Sequence, residues 1–414
     1  MSPLFIFLIV LVVGFLGANL FREKLLTKVS LPAGLEYILL GILLGPSFSN
    51  WLNVNFGLNI PNLVDDNMLR QMAPGIAAAT GIIGLVYGLR FKVSDFQNAD
   101  SEHIRVATFD IIFSVLVIGG ISFSVFYFYL FPDAKIENIL AASAALGIMG
   151  SVSSNSLIKS IMNRYQITGK ITSALDVSTK INLDINIFLF GLLFGIIHIG
   201  STNTFIKSPI EWIVTSILLA LLIGILLNIF LGREEDEKKF FVAIIGTIVF
   251  TSGIGYFINI SPLFMNFILG FILANFSKIA GKIEKPLTKI SEPVGILVVI
   301  MAGFNWIPLP PIFFIVAAAA FILIRFVSKR FSGYLAYASS FEKDKLIPNI
   351  GLGLLPQDII VCAMIVDYIN VYQNEFTNLV VSCILTSMIF FGLISYRLSK
   401  RLLIDAGEIR GAAK

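Results

Sequence analysis

The sequence predicts an all-α, polytopic membrane protein with about thirteen transmembrane helices. Hydrophobic residues make up 57% of the 414 residues and charged residues only 14%, whereas a soluble domain usually carries about 25% charged residues. The mean hydropathy is +0.89. Apolar runs long enough to cross a bilayer, about 20 residues each, follow one another between short polar loops. A lipid bilayer is therefore the expected surrounding, and nothing in the composition indicates nucleic-acid binding.

The predicted spans are defined by these apolar runs and the polar loops that bound them. The first run lacks a basic segment before it and a small-residue cleavage site after it, so we interpret it as a retained span rather than a signal peptide. The spans are 4–20, 31–47, 72–90, 106–131, 138–160, 174–198, 210–231, 240–258, 262–277, 291–306, 311–337, 347–370 and 376–396.

Basic residues are concentrated in alternate loops. The loops on one predicted side, including the C-terminal tail, hold 23 of the 30 Lys and Arg residues, the loops on the other side hold three, and the spans hold four. Cytoplasmic loops carry the excess of Lys and Arg. The C-terminus is therefore predicted to be cytoplasmic, and an odd number of spans places the N-terminus outside.

The polar loop "GREEDEKK" separates the seventh and eighth spans near the middle of the chain. An arrangement of six spans, one linking span and six further spans is typical of transporters built from inverted repeats. The sequence thus predicts two inverted six-helix repeats. The two cysteines, Cys362 and Cys383, lie in apolar runs, and no metal-ligand or cofactor motif is present, so no cofactor is expected.

Asp184 is the sharpest functional signal, because it lies well inside the sixth span in "NLDINIF". A charge at this depth costs roughly 2.5 kcal/mol or more, so such a carboxylate normally faces a partner or a cavity and often marks an ion path. One carboxylate can hold either a monovalent cation or a proton, and this competition is sufficient for exchange. The alternative is a structural aspartate paired with Lys180, one turn away.

Neighbouring polar residues in the sixth span admit two interpretations. Asn182 and Asn186 could supply neutral oxygen ligands beside Asp184, or they could hold helices together. Asp176 and Lys180 lie nearer the cytoplasmic end, where a ladder of interfacial salt bridges is the simpler explanation.

Two spans carry residues typical of broken helices. The fifth contains "GSVSSNS", in which Ser153, Ser154 and Asn155 interrupt an apolar run, and unwound backbone there could present oxygens to a cation. The twelfth contains "GLGLLPQD", in which Pro356 removes a backbone donor and frees a carbonyl. Asp358 follows as a gating residue or as the cap of a second half-helix. Close packing through small residues is the alternative for the fifth span.

Basic residues in the eleventh span require a partner. Arg325 and Lys329 lie one turn apart at a depth where a cation should meet a carboxylate or line a cavity. We expect one of them to hold Asp184 or Asp358 when no cation is bound; snorkelling to the cytoplasm is the alternative. Asp110, just inside the fourth span, is expected to pair with Arg105 or to guard the cytoplasmic entrance. Asp367 is expected at the outer interface.

Six segments taken together resemble the cation:proton antiporter superfamily. In chain order they are "LPAGLEYILLGILLGPSFSN", "LVYGLRFKVSDF", "SSNSLIKS", "NLDINIF", "FILGFILAN" and "GLLPQDIIVCAMI". Their order and spacing, more than any one of them, carry the resemblance over nearly the whole chain. It implies two crossed broken helices, elevator-type alternating access around Asp184, and a Lys or Arg of the eleventh span paired with that aspartate.

The resemblance also implies a homodimer in the cytoplasmic (inner) membrane and a division of the chain into domains. Spans 1–3 (1–105) and 8–10 (240–308) would form the dimerisation domain, spans 4–6 (106–200) and 11–13 (309–414) the moving core, and span 7 (201–239) the link. Leu183 precedes Asp184 where relatives carry Asp or Asn, which favours one-for-one, electroneutral exchange. Residues 153–155 also differ from the usual motif and leave Na⁺ and K⁺ open.

These features favour a secondary antiporter, not an enzyme, that exchanges Na⁺ or K⁺ for H⁺. A sodium-coupled symporter for an organic solute would need a basic substrate pocket. A channel or non-transporting membrane subunit would need no coupling site. A separate subunit could supply regulation, since the chain ends soon after its last span.

Overall fold

The computed structural model describes residues 34–57, 66–197, 208–231, 236–277, 280–307, 310–342 and 345–409, together with positions 5, 9, 12, 13 and 16. The predicted first span, 4–20, lies almost wholly outside this part of the chain. Within it every regular element is helical, which confirms the predicted all-α class. The helices are α1 (Leu35–Leu44), α2 (Pro46–Phe56), α3 (Asp66–Arg90), α4 (Val93–Gln97), α5 (Ser101–Val125), α6 (Ile136–Ser151), α7 (Asn155–Tyr165), α8 (Lys170–Ile197), α9 (Pro209–Leu231), α10 (Glu237–Phe257), α11 (Pro262–Phe276), α12 (Ala280–Phe304), α13 (Pro311–Ala338), α14 (Ile360–Val371) and α15 (Thr377–Asp405).

Nine spans in the described part of the chain are long and apolar enough to cross a membrane, and a tenth is formed if α1 and α2, bent by 57° at Gly45, count as one. The pair α6 and α7 contributes one of the nine. Helices α11 and α14 are apolar but shorter than 18 residues. The protein is therefore a multi-pass membrane protein, while the number thirteen stays a prediction.

Polar residues define where several helices begin. Asp100 accepts a hydrogen bond from the Glu102 amide at the start of α5, and Asp236 caps α10 in the same way. Ser261 caps α11 by accepting from the Phe264 amide, and Pro262 occupies the first helical position. These caps satisfy amides that the helices leave unpaired.

The helices pack as two bundles. The first bundle contains α1, α3, α9, α10, α11 and α12, and the second contains α5, α6, α7, α8, α13, α15 and the 3₁₀ turn Ile350–Leu354. Helix α14 packs against α3, α11 and α12 of the first bundle, and α8 meets α9 and α11 along the same seam. The predicted division into a dimer-forming and a moving domain stays a prediction.

Glycines allow α3 and α11 to pack with their backbones in contact. A Cβ atom on Gly84 would lie 2.1 Å from the Leu263 carbonyl oxygen, and one on Gly88 would lie 2.1 Å from the Phe267 carbonyl oxygen. Both distances are far below van der Waals contact. The pair α3–α11 therefore forms a rigid wall of the seam between the bundles.

Candidate functional site

Two chain breaks meet in the second bundle. Helix α6 ends at Ser151 and α7 begins at Asn155, and Val152 and Ser154 between them have extended backbone angles. The other break separates the 3₁₀ turn, which ends at Leu354, from α14. The Ser154 amide donates to the Pro356 carbonyl at 2.8 Å, so the two broken helices cross, as the fold prediction required.

Arg325 of α13 binds the backbone of both chain breaks where the broken helices cross. Its guanidinium is fully buried and donates to three carbonyl oxygens, those of Gly150 at 2.8 Å, Val152 at 3.1 Å and Leu355 at 2.6 Å. Carbonyls at a helix end have no intrahelical donor and carry partial negative charge. Arg325 therefore neutralises the broken ends, and the structure places it on backbone rather than on Asp184 or Asp358.

Lys329 forms a buried ion pair with Asp110. Its ammonium lies 2.9 Å from both carboxylate oxygens of Asp110 and 2.8 Å from the Ser153 hydroxyl, and it also donates to the Ser151 carbonyl. The expected pairing of Lys329 with Asp184 is wrong for this structure. The expectation that Asp110 pairs with Arg105 is wrong as well, because Asp110 lies about 15 Å into α5 and faces α13.

The same network includes Asn182 on α8. Its amide nitrogen donates to Asp110 Oδ2 at 2.8 Å and to the Ser151 carbonyl at 3.1 Å, and its oxygen accepts from the Ser153 amide at 2.9 Å. Ser114 and Ser332 donate to the other oxygen of Asp110. Asn182 thus ties the first chain break to the Asp110–Lys329 pair.

Asp184 lies on a different face of α8. Two residues correspond to about 200° of helical rotation, which turns Asp184 away from Asn182 and toward the first bundle. Gly191, two turns further along this face, meets the ring of Phe264 on α11. Asp184 is about 21 Å from the start of its helix, so it lies at the seam between the bundles and deep in the predicted membrane.

The carboxylate of Asp184 is buried, and one of its two oxygens is unsatisfied. Its exposed fraction is 2%, and Oδ2 has no hydrogen-bond partner among the described residues. Nearly all buried polar groups in proteins have such a partner. The charges of Lys180 on α8 itself, of Asp95 on α4 and of Arg90 at the end of α3 act on Asp184. The arrangement can accept a cation or a proton on an otherwise unsatisfied oxygen.

The polar residues between Asp184 and the start of α8 have other partners. Lys180 pairs with Asp95 of α4 rather than with Asp184, and both side chains are partly exposed. Asp176 accepts a hydrogen bond at 2.9 Å from Asn155. The predicted ladder of salt bridges between Asp176 and Lys180 is wrong in its partners, although both residues do lie at the more exposed end of the helix.

Asp358 lies where the two second half-helices begin. It accepts from the Ser154 hydroxyl at 3.1 Å, the Tyr87 hydroxyl at 2.7 Å and the Ile360 amide at 3.3 Å. The last contact places Asp358 beside the first turn of α14, whose N-cap residue is Ile359, and its roles as a gate or a cap stay predictions. Tyr87 belongs to α3, so Asp358 also joins the second break to the first bundle.

A cavity of about 180 Å³ reaches this point from the end of α3. Its lining includes Tyr87 and Ile359, which neighbour Asp358, and the charged residues Glu36, Arg90 and Glu292. Arg90 and Glu292 are exposed. The cavity therefore leads from the surface at the Arg90 end of the seam toward the Tyr87–Asp358 contact.

The predicted cation ligands are not gathered in one shell. Ser153 and Asn182 belong to the Asp110 network, Ser154 contacts Asp358, and Asn155 contacts Asp176. No described residue hydrogen-bonds to Asp184 Oδ2. The role of these residues as cation ligands stays a prediction.

Two aspartates, Asp110 and Asp367, are buried although the sequence did not predict it. Asp110 was expected at an entrance and Asp367 at the outer interface, yet both are fully buried. A clue for Asp110 was available, since Ser114 follows it by one turn on the same face. For Asp367 the partners Thr80 and Ser261 lie more than 100 residues away in the sequence, so no local pattern could identify them.

Two solved structures of the sodium proton antiporter MjNhaP1 from Methanocaldococcus jannaschii resemble the chain along its whole length. The structure at pH 8 aligns with a TM-score of 0.66 at 14% identity and covers 99% of both chains. The chain has the fold of this antiporter. The structure from an electron microscopy map aligns with a TM-score of 0.59 at 16% identity, covering 99% of this chain and 97% of the antiporter.

Sequence comparison adds no further relative: no protein-family model and no curated protein matches the chain. The resemblance to cation:proton antiporters, predicted from the six segments, is confirmed by the structural neighbours at the level of the fold.

Proposed function

We propose that the protein is a secondary active antiporter that exchanges a monovalent cation, Na⁺ or K⁺, for H⁺. The observation that carries the proposal is Asp184, a buried carboxylate with an unpartnered oxygen at the seam between two helix bundles. A carboxylate left unpaired in a dry interior is costly, so a bound cation or proton would stabilise it. Because both compete for the same oxygen atoms, each displaces the other. The antiporter fold supports this assignment.

We also propose that exchange moves one proton per monovalent cation, with no net charge. The other buried aspartates of the described chain are saturated by donors. Asp110 is paired with Lys329, Asp358 is held by Ser154 and Tyr87, and Asp367 by three donors. The Lys329 ammonium likewise has a full set of acceptors. Asp184 is then the single exchangeable group among the buried aspartates of the described residues, which favours one-for-one stoichiometry.

Alternating access is proposed to occur by elevator-type movement of the second bundle against the first. Asp184 faces the seam from α8, and the cavity lined by Tyr87 and Arg90 leads into that seam. Sliding of the second bundle would carry Asp184 from one side of the membrane toward the other. The predicted topology makes the Arg90 end cytoplasmic. The predicted inner-membrane location and homodimer complete the proposal.

Purified protein in proteoliposomes tests the exchange. A jump in external Na⁺ or K⁺ should move protons, reported by a pH dye inside the vesicles, in the wild type and in Asp133→Asn. Asp133 is exposed in the loop after α5 and is the matched control. Asp184→Asn should reduce the exchange to the level of empty vesicles. Exchange at the wild-type rate in Asp184→Asn would show that the site is assigned to the wrong residue.

Electroneutrality and ion choice are tested on the same vesicles. The initial rate should not change when a membrane potential of either sign is imposed, because one charge enters for each that leaves. A rate that follows the potential would refute the one-for-one stoichiometry while leaving antiport intact. Parallel jumps of Li⁺, Na⁺ and K⁺ identify the transported ion.

A further inference from the structure

Asp367 is a buried carboxylate that the Asp184 site does not use. It lies on α14 with no exposed surface. It accepts a hydrogen bond from the Thr80 hydroxyl of α3 at 3.1 Å, from the Ser261 hydroxyl at 2.6 Å and from the Leu263 amide at 3.0 Å. The last two donors lie at the beginning of α11. One side chain of α14 thus joins two helices of the first bundle.

The chemistry of this contact makes it strong. The beginning of α11 carries unpaired amides and the positive end of the helix dipole. Hydrogen bonds to a carboxylate are about twice as strong as those between neutral groups. All three donors are directional, so they hold Asp367 in one position along α3 and α11. A displacement by one helical turn, about 5.4 Å, would break every one of them.

The contact lies beyond the cavity, near the middle of α3 and on the side away from Arg90. Tyr87 of α3, which lines the cavity, binds Asp358 just before α14. Thr80 lies seven residues earlier on α3, about 10 Å away along the helix and about 15 Å from Arg90. The segment from Asp358 to Asp367 is therefore fastened to α3 at two points. The first is next to the cavity, and the second lies beyond it.

We propose that Asp367 is a latch that closes the seam on the side away from the cavity, and that its release from Thr80, Ser261 and Leu263 is required before that side opens. The inference rests on the proposed elevator exchange. While the latch is closed, the seam can open only on the cavity side, and Asp184 can be reached only from that side. Once it is released, the seam opens at the far end and the cavity end closes.

Thiol labelling measures this equilibrium without measuring transport. The two native cysteines are buried and are replaced in Cys362→Ala/Cys383→Ala. One reporter is Ala77→Cys, a buried position about one turn from Thr80 on the side away from Arg90. A second reporter, Ser291→Cys, lies in the lining of the cavity. Each is labelled in lipid nanodiscs with a membrane-impermeant maleimide.

Asp367→Asn keeps the size of the side chain but removes its charge and places an amide where a second acceptor is needed. It should label the far-side reporter at least about tenfold faster and the cavity reporter more slowly. Ser261→Ala removes one donor and should act in the same direction, by about threefold. Asp133→Asn, an exposed aspartate, should leave both rates unchanged.

Opposite changes at the two reporters distinguish a latch from a loss of stability, which would speed both. If Asp367→Asn elutes as folded protein and its labelling is unchanged, the proposal is overturned. Faster labelling at both reporters would also overturn it. Should Asp367→Asn fail to fold, an unchanged rate in Ser261→Ala overturns it. Labelling that shifts as expected in a protein without cation–proton exchange would preserve the latch and refute the proposed function.

Discussion

The ion pair between Asp110 and Lys329 should be the most sensitive electrostatic contact in the chain. The exposed fractions of the two side chains are 1% and 0%. The perturbation is Lys329→Met, which keeps the aliphatic stem and removes the ammonium. It leaves the Asp110 carboxylate with neutral donors only and deprives the Ser151 carbonyl and Ser153 hydroxyl of their cation.

The magnitude follows from burial. Removing one partner of a buried pair costs about 3–5 kcal/mol because the remaining charge has no compensation. At about 2–4 °C per kcal/mol, the midpoint of thermal unfolding should fall by roughly 6–20 °C. The matched control is Lys180→Met. The Lys180–Asp95 pair has exposed fractions of 37% and 47%, so solvent screens it and its loss should cost about 0–1 kcal/mol.

The assay is the fraction of monodisperse protein that survives heating, measured by fluorescence-detected gel filtration of membrane extracts. The charge-neutral double variant Asp110→Asn/Lys329→Met should regain most of the lost stability, because it removes both charges together. Equal melting of Lys329→Met and Lys180→Met would refute the reasoning, and so would a double variant no more stable than Lys329→Met.

Two further perturbations test the packing and a surface charge. Gly88→Ala should strongly destabilise the protein, because its Cβ would lie 2.1 Å from the Phe267 carbonyl oxygen. A Cβ at Gly253 would meet nothing within 4 Å, so the control Gly253→Ala should be neutral or stabilising by up to ~1 kcal/mol. Similar melting curves for the two variants would contradict the tight α3–α11 contact. The Lys345 ammonium beside Asp100 holds the pKa of that carboxyl below its usual range. The contact therefore stabilises the fold above the unfolded pKa of about 3.9, and this stabilisation is lost as the pH falls through the lowered folded pKa. The melting temperatures of the wild type and Asp100→Asn should differ at neutral pH and converge toward pH 3, and a constant difference between pH 3 and pH 7 would contradict this.

The helical class and the approximate positions of most helices could be predicted from the sequence, because long hydrophobic runs form membrane helices. The break at residues 152–154 was visible as a polar interruption, and the break before α14 as a glycine-rich stretch ending in Pro356. The sequence did not determine how many membrane spans the short helices form. Helix α14 has only 12 residues, and the predicted twelfth span also includes the 3₁₀ turn Ile350–Leu354 before it.

The position of Asp184 was predictable and its partners were not. Depth follows from position in an apolar run, and an aspartate at that depth needs a function or a partner. Which cation meets which carboxylate depends on helix rotation and crossing. Lys329 and Asp110 lie 219 positions apart. Lys329 was identified as a charge that needs a partner and Asp110 only as a partner of Arg105 or an entrance residue, so only the packing of α5 against α13 shows that they satisfy each other.

The pairing of Lys329 with Asp110 instead of Asp184 changes how the site should work. Had Lys329 paired with Asp184, cation binding would have to displace an ammonium, and the lysine proton could take part in transport. With Lys329 held by Asp110, Ser151 and Ser153, the cost of two buried charges is already balanced within the second bundle, and that network can move as a neutral unit. In the proposed exchange, Asp184 is the charge that must be neutralised before it crosses the seam, because an ionised carboxylate in a dry interior is strongly disfavoured. Under the proposed mechanism the empty, charged form would be immobile, whereas the forms that carry a cation or a proton would be neutral and could move. A single free carboxylate would then suffice to couple the two fluxes, because the proposed carrier would have no uncoupled step.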